Sequence, residues 1–159
     1  MVPRNRAGDT EADTAEISLA EHLLVWSWRK IVTGRADCPL IAWEFKRFCG
    51  EDAAEVLASL CAFLRALAYA GRPRLQIGYP GCAVLTADER QCLLLIAAAQ
   101  TGDEVRFDAH LRWLARAGFR PALSISARAL GTALKVHDLL LPRPVLVAPN
   151  MDGSIAVGD

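Results

Sequence analysis

Apolar residues recur at helical spacing between residues 17 and 141, and glycine or proline interrupts the pattern at intervals. That period predicts amphipathic helices with one face in a core. The first helix begins at Ser18, which forms a capping-box pattern with Glu21, and runs to about Val32, with Gly34 as a left-handed exit. Asp37-Cys38-Pro39 opens a second helix that ends at Gly50, with Leu40, Trp43 and Phe48 as its large apolar residues. A third covers about 51–70 and closes at Gly71. Thr86 and Glu89 form a second capping box for a fourth helix that reaches about Gln100. A fifth spans about 103–116, and a sixth runs from Pro121 to about Leu140. The fold class expected is all-α: a bundle of about six helices.

Two of these helices have unusual patterns. Within the fourth (about 87–100), Cys92–Ala99 is apolar on every side, which predicts a central helix. The first has two apolar rows, one of Ala20, Leu24, Ser27 and Ile31 and one of Leu19, Leu23 and Trp26. One row serves a core contact, so the second points to a partner chain, and Leu19, Leu23 and Trp26 are the expected interface residues. Between the third and fourth helices the period changes to alternation. Residues 74–85 alternate around Pro80-Gly81, the pair favoured at the centre of a type II turn, which predicts a short hairpin or a loop.

The ends differ from this core. Residues 1–16 are polar and predict a flexible arm, whereas residues 142–159 contain Pro142, Pro144 and Pro149 and predict a tail, with Val145–Val147 able to add one short strand. The helical domain is thus expected over residues 17–141.

Lys plus Arg and Asp plus Glu are balanced at 18 each, so the chain has no net field to hold nucleic acid or a membrane surface. The balance also favours self-association. Five cysteines at irregular spacing match no disulfide framework and point to reduced thiols in the cytoplasm. The N-terminus carries no apolar signal segment, and Cys92–Ala99 is too short to span a membrane.

Candidate chemistry is sparse. Acidic residues open the helices and Arg112 and Arg116 close the fifth, which complements the helix dipole. His22, His110, His137 and the cysteines lack metal-ligand spacing, so neither a metal nor a cofactor is expected. His110 shares a helical stripe with Phe107, Leu111 and Leu114, where it is either a bonded interior histidine or a functional base. Cys82 follows a turn and is the thiol expected to react first.

These patterns predict a small cytoplasmic interaction or regulatory module without a catalytic constellation, a homodimer through its first helix with a further unidentified protein partner. The first alternative is a winged helix-turn-helix regulator, with the third helix for recognition and 74–85 as the wing. Glu51, Asp52 and Glu55 in that helix's first turn oppose it, because phosphates repel carboxylates. The second alternative is a small-molecule binder or thiol enzyme with His110 and Cys82 around one pocket.

Overall fold

The computed structural model describes residues 17–70 and 72–143. Expectations about the 1–16 arm, Gly71, and the tail from Pro144 onward with its short strand lie outside the described residues. Among the described residues every regular element is a helix and there is no strand, in agreement with the all-α expectation. None of their helices is long and apolar enough to cross a membrane.

Helix α1 spans Leu19–Val32 and opens with the full capping box: Glu21 N–H donates to Ser18 Oγ, and Ser18 N–H donates to Glu21 Oε2. It ends in a Schellman motif, with Gly34 at φ +83° and the Arg35 N–H returning to the Lys30 carbonyl. Helix α2 spans Pro39–Cys49 and α3 spans Ala53–Ala68, joined by one 3₁₀ turn at Gly50–Asp52. Helix α4 spans Ala87–Thr101 and begins with the second capping box, Thr86 with Glu89. Its exit, Gly102 at φ +70°, leads directly to α5, Glu104–Leu114, whose N-cap Asp103 accepts the Arg106 N–H. Helix α6 spans Arg120–Val136.

One core joins these elements. Helix α4 packs against α5 and α6, α6 against α3, and α3 against α2. Trp28, Phe45 and Phe63 are its largest fully buried side chains. Helices α4 and α6 approach closely at Gly131, where a Cβ would lie 3.2 Å from Ala99 Cβ and 3.5 Å from the Ile96 carbonyl oxygen.

The structure sharpens two expectations and corrects one, the end of α6. In α2 the core side is Ile41, Phe45 and Cys49, at spacing of four, while Leu40 and Trp43 face solvent. Helix α6 stops four residues before Leu140, because Asp138 takes φ +57° and the Leu139 N–H turns back to the Leu134 carbonyl. Buried Gln100 then holds the following segment, donating to the Leu139 carbonyl at 2.8 Å and accepting the Leu141 N–H at 2.8 Å. Of the hairpin and the loop expected over residues 74–85, the structure has the loop, as an irregular strap over residues 72–85. The expected turn is present within it: the Cys82 N–H donates to the Tyr79 carbonyl, and Gly81 has φ +90°. The strands are missing because side chains, not a neighbouring strand, satisfy the strap's backbone.

The close α4–α6 contact yields a prediction. Gly131→Val places branched carbons against Ala99 and should cost about 1–3 kcal/mol in urea unfolding, with the helical content retained. Unchanged stability would show that the helices can separate there freely.

Candidate functional site

The strap is held by a buried ion pair. Arg29, on α1, and Glu89, on α4, have side-chain exposures of 6% and 0%. Arg29 Nε donates to Glu89 Oε1 at 2.7 Å, and Nη2 donates to Oε2 at 2.7 Å. This two-pronged geometry is the strongest that a guanidinium and a carboxylate can form. Two further Arg29 N–H groups reach the strap backbone, Nη1 to the Cys82 carbonyl at 2.6 Å and Nη2 to the Val84 carbonyl at 2.9 Å. Glu89 in turn accepts the Gly78 N–H at 3.0 Å and the Thr86 N–H at 2.9 Å, with Trp28 Nε1 at 3.4 Å. Asp88 accepts the Gln76 N–H, and the Thr86 hydroxyl donates to the Gln76 carbonyl. Leu75, Ile77 and Leu85 anchor the strap on the core.

Burial pushes the Glu89 pKa up, but the Arg29 hydrogen bonds and the Thr86 and Gly78 amides pull it down further, to a value below the ordinary one. The hydrogen bond to Glu89 likewise raises the Arg29 pKa against the cost of burial. Both groups therefore stay charged at neutral pH. Gly78 is required by proximity: a Cβ there would meet the Arg29 guanidinium at 2.7–2.9 Å.

The locked strap forms one wall of a cleft of about 260 Å³. Ile17, His22, Val25, Trp26 and Arg29 line the α1 side, and Pro80, Cys82, Ala83 and Leu85 line the strap side. Apolar atoms dominate, with an imidazole and a thiol among them. Lys30 sits 4.9 Å from the Trp26 ring, a cation–π distance.

The residues singled out from the sequence are divided by this geometry. Trp26 is half-buried in the cleft wall, and Leu19 is 57% exposed at the start of α1. Leu23 is 3% exposed and belongs to the core, so Leu19, Leu23 and Trp26 do not form one accessible row. Cys82 lines the cleft, and its thiol lies 3.5 Å from the Val84 carbonyl. His110 lies elsewhere, beside a cavity of only about 20 Å³, with Gln91 Oε1 2.7 Å from its Nδ1. Desolvation, followed by the charge of Arg106, lowers its pKa and favours the neutral ring. His110 and Cys82 therefore do not share a pocket. The segment expected as a wing is the strap itself, and Arg72 at its start lies over the Trp113 ring at 4.5 Å. Among the described residues, no group of three or more His, Cys, Asp or Glu side chains could hold a metal ion.

Sequence reasoning weighed His22 only as a metal ligand and Glu89 only as a cap, and gave Arg29 and Gly78 no part in a site. Two signals were present. Arg29 continues the row from Val25 at a spacing of four, and Gly78 stands where no turn requires a glycine.

Comparison of the chain with protein-family models, with curated proteins and with solved structures finds no match.

Removing one partner of a buried pair leaves a bare charge. Arg29→Met should therefore cost about 3–5 kcal/mol in denaturant unfolding. Because the Glu89 pKa is depressed by folding, its contribution is complete above the unfolded glutamate value of about 4.3 and is lost as pH falls through the lower folded value. Arg29→Met should accordingly flatten the acid limb of the stability–pH curve. An unchanged acid limb would show that the pair does not hold the fold.

Proposed function

We propose that this chain is a small intracellular helical interaction or regulatory module without catalytic activity, which receives an apolar side chain of a protein partner in the α1–strap cleft. In this reading α4 is the central element of a six-helix bundle, and its Glu89 holds the strap that walls the cleft. The observation that carries the proposal is the cleft's construction. An apolar hollow with an aromatic wall is held open by a backbone that the Arg29–Glu89 pair fixes in place. Preorganisation of this kind lowers the ordering cost of binding. Exposed Tyr79 and Val84 flank the strap residues of the wall, and Ile17 and Leu19 flank the α1 end, extending an apolar rim around the cleft. A single buried apolar anchor contributes about 1.5–3 kcal/mol, enough for a regulated, reversible contact when rim contacts add to it. Five free cysteines, of which Cys49 and Cys92 are buried, support a reducing compartment.

The test is selection of displayed peptides on the native full chain and on an Ala83→Trp variant, which fills the cleft from an exposed position. Selected peptides should share an apolar or aromatic anchor and bind the variant at least about tenfold more weakly, at unchanged melting temperature. Equal binding to both proteins, or no enrichment on either, would refute the cleft as the partner site.

A further inference from the structure

The stretch Cys92–Ala99 is apolar on every side of α4, yet one side is incompletely covered. Helices α5 and α6 pack on α4, and α1 is tied to it through the Arg29–Glu89 pair. The remaining side is the row Gln91, Leu94, Ala98 and Thr101, in which Gln91 and Leu94 are half-buried and Thr101 is exposed. A helix that is apolar all round is normally enclosed on every side. Leu94, Ala98 and Thr101, with Arg106 and His110 of α5, line a shallow furrow between the two helices. It has no lining residue in common with the α1–strap cleft.

The chain itself leads into this furrow. Gln100 grips Leu139 and Leu141 beside the end of α4, and Arg143 then lines the furrow together with Leu94, Ala98 and His110. These two fixed points give the chain a heading, from the C-terminal end of α4 back towards its start. Leu141 and Arg143 each precede a proline, which favours extended backbone and keeps that heading. The described residues end at Arg143, and Pro144-Val-Leu-Val-Ala-Pro149 comes next. From Leu94 to the first residue of α4, Ala87, is about 10 Å at 1.5 Å per residue. About three extended residues at about 3.3 Å each cover that length, which brings Val145, Leu146 and Val147 over it. The segment 144–149 has branched apolar side chains and no charge, as a floor of Leu94 and Ala98 requires. Arg106, the cation on the furrow's edge, is already engaged by Asp103 at 3.5 Å and asks for no acidic occupant.

We propose that residues 144–149 of the same chain lie along the α4–α5 furrow, with Val145, Leu146 and Val147 over Leu94 and the His110–Gln91 bond. The segment covers the last side of α4, and the Nδ1–Oε1 contact of 2.7 Å between His110 and Gln91 is sealed from water beneath it. Connectivity selects this occupant. A segment tethered at Arg143 meets the furrow at an effective concentration on the order of millimolar, ahead of any free chain. The α4–α5 side is then closed by the protein's own residues, and this inference stands or falls separately from the partner cleft.

Methyl-resolved NMR of the full chain tests the proposal. Nuclear Overhauser contacts should join the Leu94 methyls to the methyls of Val145, Leu146 or Val147. An isotope-filtered spectrum of labelled and unlabelled chains mixed in equal amounts should lack those contacts, because they arise within one chain. A Val145→Asp/Leu146→Asp double variant adds a second readout. Successive side chains of an extended segment point to opposite sides, so one aspartate meets the furrow whichever way the segment turns. The variant should lose the Leu94 contacts and shift the Leu94 methyl and His110 ring signals, while its circular dichroism matches the wild type. Absence of the Leu94 contacts in the wild-type chain, contacts that form between different chains, or Leu94 and His110 signals that the double variant leaves in place would each overturn the proposal. A furrow taken by a second copy gives the second of these results, and one left for a different protein gives the first.

Discussion

A guanidinium and a carboxylate excluded from water are stable only when their hydrogen-bonding capacity is met, and the architecture around Arg29 and Glu89 follows from that requirement. Four donor contacts of Arg29 and the acceptor positions of Glu89 are engaged by each other or by the strap backbone and Trp28. The same Glu89 carboxylate completes the capping box of α4. One cluster therefore starts a helix, fixes α1 beside it, and supplies the strap with the hydrogen bonds that a sheet would otherwise provide. The strap's tolerance of irregular backbone is a consequence, as is the requirement for glycine at position 78.

Local signals in the sequence were strong where local chemistry decides the structure. Both capping boxes, the glycine exits at Gly34 and Gly102, and the turn at Pro80-Gly81 need only neighbours within a few residues, and each is found. The failures are of another kind. Arg29 and Glu89 are 60 residues apart, and nothing short-range reveals that they meet. The alternation of residues 74–85 is real, since Leu75, Ile77 and Leu85 turn inward, but periodicity does not say whether a strand or a side chain will satisfy the backbone. In α2 the aromatic Trp43 drew attention from Phe45, although only Phe45 continues the Ile41–Cys49 row. Asp138 in the left-handed region ended α6 without the glycine that usually marks such an exit.

The candidate site was legible only in fragments. Trp26 and Cys82 were singled out for different reasons, and the fold sets both in one cleft. Leu23 follows the same period as Trp26 but turns to the core, because a helix face wider than one row has an inner edge. His110 was conspicuous on an apolar stripe, and its bond with Gln91 accounts for it. The surface proposed for recognition is the preorganised cleft on α1 and the strap.

The most direct test of the central role of the ion pair is native-state hydrogen exchange at the Gly78 and Thr86 amides, compared between the wild-type chain and Arg29→Met. If the buried pair holds the strap, both amides are protected in the wild-type chain. In the variant they exchange at least about a hundredfold faster, while amides inside α3 and α6 keep more of their protection. Equal protection of Gly78 and Thr86 in the two proteins would mean that the strap is held by its apolar contacts alone, and would contradict the account.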